Sequence, residues 1–254
     1  MNAASSCHEI PECSGLYIDA FRGSYLRKTR DPQHHFILTH YHGDHYGNLP
    51  RDNKYQGPAW IHCTPITATL LRQVHQVPNA FVVEHAFGQS WTLALKNSST
   101  TNTMKSVRLT FYDANHCPGA AIILIQLLNE HDEIVKVHLH TGDMRYHEKM
   151  KHYPLLDETV RRRQLDTVYL DTTYANPKHD FIPQDVAVDS VGRQVEELLS
   201  NTSTIKTLVL LSCYSIGKEK VRLESFFMNV PSYHVLGSHI SFRFFGRHHV
   251  EQVS

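Results

Sequence analysis

Short apolar runs that stop abruptly at polar residues set the pattern of this chain. Leu16-Tyr17-Ile18 predicts a strand ending at Asp19, a turn follows at Gly23, and His35–Leu38 predicts a buried strand. Ala59–Cys63 reads as the next strand. Pro65 fits the first turn of a helix that carries Ile66, Leu70, Leu71 and Val74 at helical spacing. Phe81–Val83 and Trp91–Leu95 are further short strands, and the polar run Lys96–Ser106 predicts a surface loop. Val107–Tyr112 alternates as a strand, and Asp113–Gly119 turns sharply after it. Ala120–Leu127 is a nearly continuous apolar strand of the kind covered on both faces. Val135–Leu139 runs into His140-Thr141-Gly142-Asp143, and Thr167–Leu170 runs into Asp171-Thr172-Thr173-Tyr174. Gln184–Ser200 predicts a helix with Val186, Val188, Val191, Val195, Leu198 and Leu199 as its apolar members. Thr207–Leu211 is a strand, Ser212–Lys220 a turn entering a helix, and periodicity is lost beyond Val221. Residues 1–15 are polar and expected to be flexible. No internal repeat is evident.

The polar groups recur where strands end. Asp19, the cluster that begins at His40, His116, Asp143 and Asp171 all sit at or just beyond a strand C-terminus. In layered α/β proteins these ends line one rim of the sheets, so residues distant in sequence converge there.

Thr39-His40-Tyr41-His42-Gly43-Asp44-His45 places three imidazoles and a carboxylate directly after an apolar strand. Extended backbone puts His40 and His42 on one side, and the following turn brings Asp44 and His45 back toward the same point. Neutral imidazoles and carboxylates are the ligands that zinc and similar metals prefer. His40, His42 and His116 make a first site within reach of Asp143. Asp44 and His45 point to a second, and Asp143 can bridge two ions with its two oxygens. Asp19 and Asp171 fit better as carboxylates that orient a ligand histidine. A histidine-rich surface loop is the bland alternative, and a capped turn is the alternative for each Asp. His34, His35, His62, His75, His85, His131, His138, His152, His248 and His249 lack ligand-like context and read as surface or satisfied core positions. Cys117 adjoins His116, but Pro118 and Gly119 follow at once, so it reads as packing in a tight turn. Ser215, Gly217 and Lys218 at a strand-to-helix turn offer hydroxyl, N–H and ammonium donors to a phosphate, with an ordinary N-cap as the alternative for Ser215.

Composition narrows this little. With 254 residues the chain suffices for one large domain or one and a half ordinary ones, and its 25 basic and 25 acidic residues leave no global polyanion-binding charge. Five scattered cysteines without a CxxC fit a reduced intracellular protein better than a disulfide framework. Neither a secretory signal nor a membrane-length apolar run is visible.

Jointly, HYHGDH at His40–His45, NHCPGA with His116 and HTGD with Asp143 resemble the metallo-β-lactamase superfamily. HYHGDH alone leaves thioesterases, lactonases and RNA-processing nucleases open. DANHCPGA, YLDTTY at Tyr169–Tyr174 and YSIGKEK at Tyr214–Lys220 narrow the resemblance to the β-CASP nucleases of the DNA cross-link repair family, the Artemis relatives, and to their 5′-exonuclease branch. The resemblance implies a four-layer αββα sandwich in the α/β class and a nuclear, metal-dependent 5′-exonuclease. One or two zinc ions and DNA with 5′-phosphorylated ends are the implied cofactor and partner.

By motif, Asp19 matches a supporting position, and His40, His42, Asp44, His45, His116 and Asp143 the metal ligands. Asp44, Asp143 and Asp171 are the expected catalytic carboxylates, and Ser215, Gly217 and Lys218 the phosphate contacts. The implied organisation is a metallo-β-lactamase part over 16–174, the start of a β-CASP region over 175–221 and a divergent tail over 222–254. In that family the insert continues well past YSIGKEK and supplies a further metal-site histidine. The chain is therefore expected to be C-terminally truncated and its sandwich incomplete. RNA cleavage or small-ester hydrolysis on the same core, and an inactive form that only binds metal or a partner, are the alternatives.

Overall fold

A computed structural model of the chain describes residues 8–10, 12–95, 104–162, 164–200 and 216–217. The chain forms two compact units, Met1–Thr172 and Thr173–Ser254. The first unit holds two sheets. Strands β1 (Leu16–Ile18), β2 (His35–Ile37), β3 (Trp60–Cys63) and β4 (Val82–Glu84) pair in that order, all parallel. Strands β5 (Ser90–Ala94), β6 (Met104–Asp113), β7 (Ala121–Asn129), β8 (Ile134–His140) and β9 (Thr167–Tyr169) form the second sheet, antiparallel except for the β8–β9 pair.

Alternation decides what faces what. Leu16 and Ile18 of β1 and Ile37 of β2 meet Val107, Leu109 and Phe111 of β6 and Ile123, Ile125 and Leu127 of β7 in one buried cluster. These residues sit two apart on their strands, as period-2 packing requires, and each buried side chain contributes about 1.5–3 kcal/mol. The two sheets therefore lie face to face. On the far side of the second sheet, Ile122 and Leu124 are buried as well. There Tyr112 stacks on Tyr153, ring centroids 5.1 Å apart, and its hydroxyl donates to the Pro154 carbonyl at 3.0 Å. Leu156 and Thr159 of a helix over Leu156–Arg161 are also buried. The architecture is the expected mixed α/β, metallo-β-lactamase-like sandwich.

Helices α1 (Gly23–Lys28), α2 (Gly43–Tyr46), α3 (Pro65–Gln73) and α4 (Leu156–Arg161) belong to the first unit and α5 (Gln184–Ser200) to the second. α1 and α4 are one-and-a-half turns each, too short for a periodic signal. α3 starts at Pro65 as expected but buries a different face. Thr67, Ala68 and Leu71 point inward while Ile66 and Val74 stay about half exposed. The reason is polar: Thr64 Oγ1 donates to the Gly119 carbonyl at 2.7 Å, and small residues let the helix come close to that turn. The predicted loop Lys96–Ser106 is also corrected, since β6 already begins at Met104 and pairs with β7 from there. α5 has the predicted bounds, with Val188 and Val195 buried and Val186 exposed. The expected strand Thr207–Leu211, the tail 222–254 and most of the Ser212–Lys220 turn lie outside the described residues.

Candidate metal centre

β2 delivers the HYHGDH stretch between the two sheets. Leu38 still pairs with the first sheet, its N–H donating to the His62 carbonyl at 3.0 Å. One residue later the Thr39 carbonyl accepts from Ala121 N–H of β7, also at 3.0 Å. His40 is consequently fully buried. His42 remains extended (φ −109°, ψ 151°) and caps α2, whose single turn carries Asp44 and His45 round beneath it. The other contributors come from left-handed backbone at strand ends. Asp19 has φ +50° after β1, Asn115 has φ +54° before His116, and Gly119 has φ +81° at the end of that turn. Non-glycine residues in this region carry strain that accumulates at functional sites.

The ring nitrogens converge. His40 Nε2 lies 2.9 Å and His116 Nε2 3.1 Å from His42 Nδ1. Asp143 Oδ2 stands 3.8 Å from His40 Nε2 and 3.6 Å from His116 Nε2, while its Oδ1 is 3.2 Å from His45 Nε2. Asp44 Oδ2 is 3.5 Å from the same His45 nitrogen, with its side chain 66% exposed. One carboxylate thus faces two groups of ligand atoms. Asp19 anchors both from behind: its Oδ2 accepts from His45 Nδ1 at 2.8 Å and from Thr39 Oγ1 at 2.7 Å, and its Oδ1 accepts from Thr39 N–H at 2.8 Å. Thr39 Oγ1 lies 3.1 Å from His40 Nδ1, which therefore donates to it and turns the Nε2 lone pair toward the cluster.

Electrostatics follows from this packing. Burial pushes His40 down to about 3, helped by the charge on His45. Burial opposes charge on His45 too, but its bonds to Asp143 and Asp19 and their charges outweigh it and lift His45 to about 10. Asp143 falls to about 2, chiefly because His45 donates to it. Asp19 is lowered although buried, because the His45 bond and the charges of His45 and His40 outweigh desolvation. Burial lowers His116 against the opposing charge of Asp143.

These residues fit a metal. A His40 lone pair faces His42 Nδ1, which itself meets a third ring nitrogen, so one proton cannot serve all three atoms. A cation does so directly. The His45 proton holds the second position between carboxylates, where a cation also belongs.

A cleft of about 360 Å³ opens beside the cluster, walled by Asp19, His45, Asp143, Tyr169, Leu170 and Asp171. Asp171 is tied down by its N–H donating to Thr141 Oγ1 at 3.0 Å, and its negative charge acts on His116. Every histidine and aspartate expected at the site from 19 to 171 is therefore gathered within one unit. Gly217, in the second unit, has φ +113°, whereas Ser215 and Lys218 lie outside the described residues. Sequence reasoning missed Thr39 and Thr141, ordinary residues whose only signal is that each adjoins a motif histidine. It also set Cys117 aside, although its sulfur lies within ligand range of His40, His42 and His116.

No family model matches the chain. Individual proteins do. The DNA cross-link repair protein pso2/snm1 of Schizosaccharomyces pombe is 36% identical over 186 residues, 73% of this chain and 30% of that protein. The DNA cross-link repair protein SNM1 of Arabidopsis thaliana is 34% identical over 206 residues, 81% of this chain and 37% of its own length. The 5′ exonuclease Apollo of Danio rerio is 28% identical over 189 residues, 74% and 29% of the two chains. The chain thus spans 29% to 37% of the length of these relatives.

Proposed function

Because this chain belongs to the SNM1/PSO2 family of DNA cross-link repair proteins, we propose that it is built as a metal-dependent DNA nuclease of the 5′-exonuclease type. The observation that carries the reading is Asp143, whose two oxygens face His40 and His116 on one side and His45 on the other. His40, His42, His116 and Asp143 Oδ2 would hold one divalent ion, and His45, Asp44 and Asp143 Oδ1 a second. Zinc suits the first set, which is rich in neutral imidazole. Two ions so placed would neutralise a phosphodiester's developing charge and clamp its attacking and leaving oxygens.

The chain's own residues do the rest. Asp19 locks the tautomer of His45 directly and that of His40 through Thr39, which keeps both Nε2 atoms aimed inward. Asp171 supplies a carboxylate at the cleft wall for proton handling. Ser215, Gly217 and Lys218 are proposed to receive a terminal 5′-phosphate. Residues 16–174 then form the metallo-β-lactamase part, and 175–221 begin the β-CASP region. Substrate and family together argue for work in the nucleus.

The test is competition. Purified full chain loaded with zinc is given 5′-phosphorylated single-stranded DNA, the matching RNA and a thioester. DNA shortening that a His42→Ala variant lacks supports the proposal. Faster turnover of RNA or thioester, or equal rates in the variant, contradicts it.

A further inference from the structure

The turn that presents His116 presents a second ligand atom with it. Asn115 and Gly119 are both left-handed, and the short chain between them brings the Cys117 side chain into the cluster, where the residue is 8% exposed. Its sulfur and one nitrogen each of His40, His42 and His116 lie within 4.8 Å of one another. A tetrahedral zinc site with bonds of about 2.0 Å to nitrogen and 2.3 Å to sulfur needs ligand atoms about 3.3 to 3.6 Å apart. Two of the three nitrogen pairs stand at 2.9 and 3.1 Å and need only open slightly, while the sulfur, within 4.8 Å of the nitrogens, must close by up to about 1.3 Å, within reach of a side-chain rotation. Asp143 Oδ2, at 3.6 and 3.8 Å from His116 and His40, competes for the same fourth position.

We propose that Cys117 is an alternative fourth ligand of the His40–His42–His116 site, exchanging with Asp143 according to the softness of the ion. This rests on the metal-site reading above. On binding, the thiol proton leaves to solvent and the sulfur electron pair goes to the ion. Soft thiolate favours zinc and cadmium, whereas magnesium and manganese keep the carboxylate. Both states give the ion four protein ligands, but the sulfur-bound state leaves Asp143 out of the set. The oxygen-bound state engages Asp143 and with it the second position. Cys117 thereby sets which ions the site accepts in its two-metal form.

X-ray absorption at the zinc edge of the zinc-loaded full chain reads this directly. One sulfur scatterer at about 2.3 Å, lost in Cys117→Ser while zinc uptake is retained, is the expected result. Zinc surrounded only by nitrogen and oxygen overturns the proposal and leaves the metal site standing; no zinc uptake overturns both. A sulfur that persists in Cys117→Ser points to another cysteine and also overturns it. If that variant fails to fold, alkylation of the wild-type chain decides the matter by peptide mapping. Zinc must slow modification of Cys117 at least tenfold relative to the metal-free chain, and an unchanged rate contradicts the assignment.

Discussion

Asp19 touches neither proposed ion position, yet it fixes two of the proposed ligands at once, His45 directly and His40 through Thr39. Partners of this kind typically account for 10- to 100-fold in metal affinity or activity. Asp19→Asn keeps the size and loses the charge, so zinc affinity measured by competition with a chromogenic chelator should fall by about that factor. An unchanged affinity would mean the carboxylate is only a turn residue. A second prediction concerns His62, read from sequence as a surface or satisfied core position and found buried. Its Nε2 lies 3.0 Å from His35 Nδ1 and its Nδ1 lies 2.8 Å from His85 Nε2, while His85 stacks on Trp91. In the unfolded chain its imidazole titrates near 6.5, whereas burial holds the folded ring to about 3. Between those values the unfolded state binds the extra proton, so this contribution is present above pH 6.5 and lost as pH falls. The slope is about 1.4 kcal/mol per pH unit. Urea unfolding in chelator at pH 7 and pH 5 should show a smaller difference for His62→Gln than for wild type; equal differences would assign the titration elsewhere. The clustered histidines were legible because each follows shortly after the end of an apolar strand. Thr39 was not, since a hydroxyl acting through its neighbour has no spacing of its own.

Among the elements, the Asp113–Gly119 turn matters most, because it aims His116 and is pinned by the start of α3. A Cβ on Gly119 would meet Thr64 Oγ1 at 2.8 Å and Ile66 Cβ at 3.0 Å, and the residue's φ of +81° disfavours any side chain. Gly119→Ala should therefore cost about 1–3 kcal/mol, a Tm loss of roughly 2–12 °C, and weaken zinc binding because His116 moves with the turn. Calorimetry and the chelator assay check both; a variant as stable as wild type would show that α3 does not clamp the turn. The same contact explains what the sequence misled on. Ile66, Leu70, Leu71 and Val74 have helical spacing, but the hydrogen bond from Thr64 to Gly119 rotates α3 so that Thr67 and Ala68 face inward. β7 was legible as a continuous apolar run because both its faces are covered, whereas α1 and α4 complete too few turns to show a period.

At the scale of the molecule, the two sheets hold candidate ligands from the end of β2, the β6–β7 turn and the end of β8 against one another, so an ion bound there ties the halves of the sandwich together. Anything that binds the folded state alone raises its stability, by about 2.7 kcal/mol at a hundredfold excess over Kd. Removing metal with chelator should lower Tm by about 5–11 °C and zinc should restore it; a Tm indifferent to both would mean that no ion bridges the sheets. The site lies wholly in the first unit, Met1–Thr172, which is why so much of it followed from motifs placed at strand ends. The proposed phosphate contacts fall in the second unit, where sequence resemblance carries them. Polarity of attack tests the whole account. A single-stranded oligonucleotide labelled at its 3′ end, with a 5′-phosphate or a 5′-hydroxyl, is incubated with the zinc-loaded full chain and with Asp143→Asn. The account predicts stepwise shortening of the labelled strand from the 5′ end, faster with the phosphate and absent in the variant. Intact DNA with a folded, metal-loaded chain, or internal cuts indifferent to the 5′ group, would contradict it.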